Sequence, residues 1–265
     1  MTSYRYPSEQ TILFLTVTAL LLAGVISAGI SVCLLPLLVG GFILLSYWMN
    51  QSQHRALVQR ASQVTPEGAP RLYAAIQQCQ RRLRVGAVSV FVAPQNVLNA
   101  YTFGFDSPKV MVLYNGLFQV MDEDELRFII GHELGHVALG HAWLNTLLGG
   151  MAGVPVGFSG AVIMILAFRW WNRACEYSAD RAGLLACGSP QKAVSALVKL
   201  VAGGVQTPAE FQRALAAIEQ EDDSVFNVLA ESLSTHPMIV RRIAEIRRYA
   251  ASDAYRRLQA RVNQM

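Results

Sequence analysis

The chain has 265 residues, of which 53% are hydrophobic and only 15% charged, with a formal net charge of +4. That is more apolar than an ordinary soluble domain, and the excess is gathered in two runs, which points to a membrane protein with a soluble part. The basic residues come with no aromatic interleaving and no binding motif, so they argue against nucleic acid and for a membrane-facing cytoplasmic surface.

In chain order, Met1 to Gln10 reads as a short polar lead. From Thr11 to Trp48 there is no charged residue over 38 positions. One helix of that length would reach about 57 Å, nearly twice a hydrocarbon core of about 30 Å. Two spans near Ile12–Ser27 and Ile30–Trp48 fit better, turning at Ser27, Gly29 and Ser31, with Tyr47 and Trp48 at the interface. The run is too long for a cleaved leader and lacks a clear small-residue cleavage site. His54, Arg55, Arg60, Arg71, Arg81, Arg82 and Arg84 follow, and the positive-inside rule places them in the cytoplasm. The bilayer is therefore an expected partner.

Pro66 to Leu83 reads as a helix, with Pro70 in its first turn and Leu72, Ile76, Cys79 and Leu83 as its stripe. Val88 to Ala93 alternates as a strand does. Lys109 to Tyr114 is a second strand, with Asn115-Gly116 as a turn. Between them lie Asn99, Ala100 and Tyr101. An edge strand here could hold an extended peptide by main-chain pairing.

Asp122 to His141 reads as a helix with four acids in its first turn, where the helix dipole favours negative charge. It contains His132, Glu133 and His136, an H-E-x-x-H. The histidines lie one turn apart, about 40° around the axis, and can bind one tetrahedral Zn²⁺. Glu133 sits beside them, where it can take a proton from water. Composition alone would produce this motif in on the order of half a percent of such chains. Burying two histidines and a glutamate on an apolar helix without partners would be costly. His141 lies about 180° from His132 on the helical wheel, so it is expected at the surface or an interface rather than on the metal.

A second uncharged run, Ala142 to Phe168, carries Gly149, Gly150, Gly153, Pro155, Gly157 and Gly160 near its middle. Arg173 to Cys187 then reads as a helix with Glu176 and Asp180 on one face, at i and i+4. Glu176 is the better candidate for the third ligand, and Asp180 would fix a liganding histidine through its free ring nitrogen; on spacing alone the two could equally solvate the face, with Arg173 or Arg181 as salt partners. Both metal helices must then lie on one side of the membrane. At roughly 27 residues the run between them cannot make two full spans, so a re-entrant or bilayer-leaning hairpin, or apolar helices packed on the first pair, is expected.

Ser189-Pro190 starts a helix through Val201, and Pro208 starts another towards Glu219. Glu221, Asp222 and Asp223 form an acidic linker. Thr235, His236 and Pro237 precede a basic helix from Ile239 to Tyr249, and the tail is arginine-rich. Cys33, Cys79, Cys175 and Cys187 form no C-x-x-C and no disulfide framework, which fits a reducing compartment.

On three motifs, HELGH (His132 to His136), EYSAD (Glu176 to Asp180) and STHP (Ser234 to Pro237) before an arginine-rich helix, the chain resembles the M48 family of membrane metallopeptidases. It looks most like the HtpX branch, with Ste24 enzymes more distant. The resemblance implies an α+β, mainly α, gluzincin-type domain with a small β-sheet and an N-terminal transmembrane hairpin. Residues 1–50 would form the hairpin. Residues 51–265 would form the cytoplasmic-side peptidase domain, with 142–168 as its membrane-associated insertion.

The resemblance also implies one zinc per chain held by His132, His136 and Glu176, with Glu133 as general base. His236 and Arg242 would stabilise the oxyanion or organise the site, and Asn99, Ala100 and Tyr101 would contact the substrate backbone. The expected activity is zinc-dependent hydrolysis of internal peptide bonds in polypeptides, with membrane proteins under quality control as the expected substrates, at the cytoplasmic face of a bacterial plasma membrane. A catalytically silent zinc-binding membrane scaffold is the alternative. The intact Glu133 argues against it, since a structural site needs no base. A metal transporter is disfavoured by the acidic, soluble character of the helix start.

Overall fold

The computed structural model describes residues 4–30, 41, 44–45, 48, 51–52, 56–104, 108–141, 159–203, 207–219 and 239–264. Its helices are α1 (Glu9–Ile30), α2 (Pro70–Leu83), α3 (Asn115–Val120), α4 (Glu123–Ala138), α5 (Ser159–Cys187), α6 (Pro190–Ala202), α7 (Pro208–Glu219), α8 (Ile239–Ala250) and α9 (Asp253–Asn263). The strands are β1 (Ser62–Gln63), β2 (Val88–Ala93), β3 (Ala100–Phe103) and β4 (Lys109–Tyr114). The fold is mainly helical with one small mixed sheet, in the order β1-β2-β4-β3.

The sheet is assembled on β4. β2 pairs with it in parallel, from Val88↔Lys109 to Ala93↔Tyr114. β3 pairs with its other side, antiparallel, from Ala100↔Leu113 to Phe103↔Val110, and forms one edge of the sheet. A parallel pair needs a crossover between its strands. Here residues 94–108 supply it, and β3 lies within it. Asn115-Gly116 does not make the turn expected of it but opens α3. A Cβ on Gly116 would fall 2.6 Å from the Val97 carbonyl oxygen. Glycine is there for close backbone approach.

The core joins sheet to helices through Val90, Met111 and Leu113 on one side and Phe128, Ile130, Leu134 and Leu184 on the other, all buried. α4 packs along α5, with α2 and α6 against it and β3 over one end. Two glycines on α4 allow the close approach. A Cβ at Gly131 would sit 2.3 Å from the Ala186 Cβ, and one at Gly135 would sit 2.7 Å from the Ala182 Cβ. Those glycines immediately precede His132 and His136, so the approach is tightest where the ligands face α5. Gly135→Ala is therefore expected to overpack the contact and cost about 1–3 kcal/mol, read as a lowered thermal midpoint. An unchanged midpoint would show that the helices are not held this close.

α4 begins with a full capping box: the Asp122 side chain accepts from the Asp124 and Glu125 amides, and the Glu125 side chain accepts from the Asp122 amide. The box satisfies donors that a helix start leaves open. Glu125 is buried and tied to Lys199 Nζ at 2.7 Å and Ser195 Oγ at 2.6 Å, which docks α6. At α6 the Ser189 side chain caps the Lys192 amide, as Ser189-Pro190 suggested. α9 forms in the arginine-rich tail. Its Ser252 side chain caps the Tyr255 amide.

Two expectations about the apolar runs meet the structure only in part. The backbone of α1 covers the first expected span, and its described side chains run to Val25. Most of the second span, and residues 142–158, lie outside the described residues. Among the described residues no helix is long and apolar enough to cross a membrane. The helix expected at Arg173–Cys187 begins earlier, at Ser159, so 159–168 is the first part of α5. Among the described residues Cys79, Cys175 and Cys187 are free thiols.

Candidate active site

The capped α4 presents His132 and His136 towards α5, and both are buried. Their Nε2 atoms lie 3.2 Å apart. Across from them on α5, the buried Glu176 places Oε2 3.6 Å from His132 Nε2 and Oε1 3.5 Å from His136 Nε2. One donor atom from each residue therefore converges on a single point. A four-coordinate ion bonded at about 2.0–2.1 Å, as zinc is, spaces its ligands about 3.3 Å apart. The three residues fit such an ion, since two imidazole nitrogens and a carboxylate meet in a buried space with their atoms at close to that spacing.

The outer ring nitrogens are also held. His132 Nδ1 lies 3.0 Å from Asp180 Oδ1. Asp180 is itself gripped by Arg242, with Nε 2.8 Å from Oδ2 and Nη2 2.6 Å from Oδ1. This is the bidentate fork that a guanidinium makes best. Arg242 Nη1 also approaches Glu176 Oε2 at 3.3 Å, so one buried arginine touches both carboxylates of α5. Burial alone would raise the Asp180 pKa. Arg242, with help from His132, outweighs that and holds the carboxyl below the usual carboxylate range. The same carboxylates raise the Arg242 pKa against its own burial.

Glu133 lies in the same cleft, where its Oε2 accepts a hydrogen bond of 2.8 Å from Thr102 Oγ1 on β3. The cleft has a volume of about 270 Å³. Asn99 and, on the edge strand itself, Ala100 and Tyr101 line it together with His132, His136 and Glu176, and Phe128, Ile129 and Leu200 form apolar walls. The Asn99 carbonyl accepts from the Tyr114 amide at 3.1 Å, which continues the pairing of β3 with β4. His236 lies outside the described residues.

His141 corrects the sequence reading. It was expected at the surface or an interface, yet it is only 1% exposed and its Nδ1 lies 3.0 Å from His136 Nδ1. The helical wheel fails because the helix has ended. α4 stops at Ala138, and Gly140 adopts φ +78°, which turns the chain back. Glycine after the last helical residue signals such a stop. His141 Nε2 lies 3.0 Å from Glu9 Oε1, and Glu9 is also 1% exposed. Burial pushes the His141 pKa down to about 4, so the ring is neutral at ordinary pH. The expected polar lead is thus partly buried. Nothing in its sequence distinguishes Glu9 from a solvated acid. For Thr102 a signal existed: on a strand it shares a face with Ala100, two residues earlier.

A comparison with protein families matches residues 66–250 to peptidase family M48. The chain belongs to that family. The match spans β2, β3 and β4, both metal helices and α8, and it makes the chain a metallopeptidase. A protease HtpX homolog of Desulforapulum autotrophicum is 26% identical to it, over 90% of this chain and 88% of the relative. The chloroplastic plastoglobule-localized metallopeptidase 48 of Arabidopsis thaliana is 30% identical, over 72% of this chain and 60% of the relative. The crystal structure of S. mikatae Ste24p shares the fold, with a TM-score of 0.51 at 17% identity, covering 91% of this chain and 63% of that one.

Proposed function

We propose that this M48 peptidase is a membrane-bound zinc endopeptidase, with the metal held by His132, His136 and Glu176 and with Glu133 as general base. The observation that carries the reading is the convergence of His132 Nε2, His136 Nε2 and the Glu176 carboxylate beside Glu133, in a cleft edged by β3. Zinc bound there would polarise a peptide carbonyl and make water more acidic. An extended substrate would add to β3, whose outer edge offers main-chain groups beside Asn99, Ala100 and Tyr101. Glu133 takes the proton of the attacking water and returns it to the leaving amine. The Thr102 hydroxyl holds one oxygen of Glu133 and leaves the other to face the reacting centre. Asp180 keeps the His132 ring oriented, and Arg242 keeps Asp180 charged and in place. His236 would donate to the negative charge that develops on the carbonyl oxygen.

The membrane reading rests on exposed apolar side chains. Phe14, Leu21, Leu22 and Val25 of α1 are each more than half exposed, as are Leu44, Leu45 and Trp48. A face of that kind suits lipid better than water. In this reading residues 1–50 anchor the chain as a transmembrane hairpin, 142–168 lie against the bilayer, and 51–265 form the peptidase domain. The arginines after the first run support a cleft at the cytoplasmic face of a bacterial plasma membrane. Its substrates are polypeptides, with damaged or misassembled membrane proteins the natural class within reach.

Metal removal tests the reading. The purified full-length chain in detergent is expected to hold one zinc and to cleave casein. Stripping with a strong chelator is expected to abolish cleavage, and zinc is expected to restore it. Cleavage that persists in the stripped protein would overturn the assignment.

A further inference from the structure

Two buried chains of hydrogen bonds reach the metal centre, and only one of them belongs to the stretch matched to the family. Arg242 and Asp180 hold His132 from within residues 66–250. Glu9 and His141 hold His136, and Glu9 lies outside that stretch. We propose that the N-terminal segment Tyr4–Glu9 is a positioning element of the metal centre, in which Glu9 acts through His141 to set the His136 ring. The inference rests on the zinc reading above and extends it to residues that no H-E-x-x-H motif contains.

The argument is one of hydrogen-bond inventory. A carboxylate only accepts, so Glu9 requires the His141 hydrogen on Nε2, 3.0 Å away. Two ring nitrogens 3.0 Å apart share a single hydrogen, and a His141 ring that carries its own on Nε2 presents Nδ1 as the acceptor. His136 Nδ1, 3.0 Å from it, must be the donor. That leaves the lone pair of His136 on Nε2, the atom that faces Glu176. Each step fixes the tautomer of the next ring, and the result is the one that a metal ligand needs.

The segment is built to stay in place. Glu9 accepts from Ser178 Oγ on α5 and from Arg5. Arg5 also donates to the Leu139 carbonyl, at the end of α4, at 3.1 Å. The Tyr6 amide donates to Ser178 Oγ at 2.8 Å. The segment therefore bridges the end of α4 to the body of α5, and Tyr4 is buried in the main core.

The test is the zinc affinity of the full-length protein, measured by competition with a chromophoric chelator. Glu9→Gln keeps the size of the side chain but lets its amide face His141 in either sense. It is expected to weaken zinc about tenfold, and His141→Phe about 10–100-fold. The double variant is expected to be no weaker than His141→Phe alone, because Glu9 acts through His141. A Glu9→Gln protein that binds zinc as tightly as wild type would overturn the inference. So would a double variant whose loss is the product of the two single losses. If His141→Phe fails to fold, the cobalt-substituted Glu9→Gln protein decides: a shifted visible absorption band supports the proposal and an unchanged band overturns it. A wild-type chain that binds no zinc would overturn the zinc reading and this inference together.

Discussion

Glu133→Gln is expected to lower kcat/KM for casein about 10²–10⁴-fold, the range that a positioned general base contributes, while the protein keeps its zinc. The amide has nearly the shape of the carboxylate and still accepts from Thr102, so the cleft should keep its form. What is lost is the capacity to take a proton. Zinc retention separates this from damage to the metal site, because His132, His136 and Glu176 are untouched. Cleavage that survives at wild-type rate would remove Glu133 from the mechanism. Zinc retention with no activity in the wild type as well would favour a silent zinc-binding scaffold.

Arg242→Ala is expected to be the most destabilising single change at the site. It strips the bidentate partner from Asp180, which is 1% exposed, and a contact from Glu176. Breaking a buried pair by removing one partner typically costs about 3–5 kcal/mol, because a charge is left buried and uncompensated. For a chain of this size that is a fall of about 6–20 °C in the thermal midpoint. Arg242→Lys should recover little, since a point charge cannot reproduce the fork on Asp180. A shift of less than about 2 °C for Arg242→Ala would mean that solvent or a rearranged side chain compensates Asp180. Either variant should also weaken zinc, because His132 loses its fixed partner.

Much of the architecture was legible because it is written in local pattern. Val88–Ala93, Lys109–Tyr114 and Pro208–Glu219 form the elements that their alternation or proline start suggested. Asp122 and Glu125 announce the start of α4 through a capping chemistry that spans only three residues. Where the reading failed, a local rule was carried past its range. The helical wheel does not extend to His141, because Gly140 has already ended the helix. Asn115-Gly116 was read as a turn, yet the glycine serves close packing against Val97.

The sequence by itself determined family membership, the helix that carries His132, Glu133 and His136, and the facing pair Glu176 and Asp180. Those features repeat within one or two helical turns, where backbone geometry dictates which side chains share a face. Only the tertiary structure decided what lies behind them. Thr102 meets Glu133 across 31 positions, Arg242 meets Asp180 across 62, and Glu9 meets His141 across 132. No periodicity encodes such pairings. They follow from the close approach of α4 and α5 at Gly131 and Gly135, and from burial, which demands a partner for every polar atom that it removes from water.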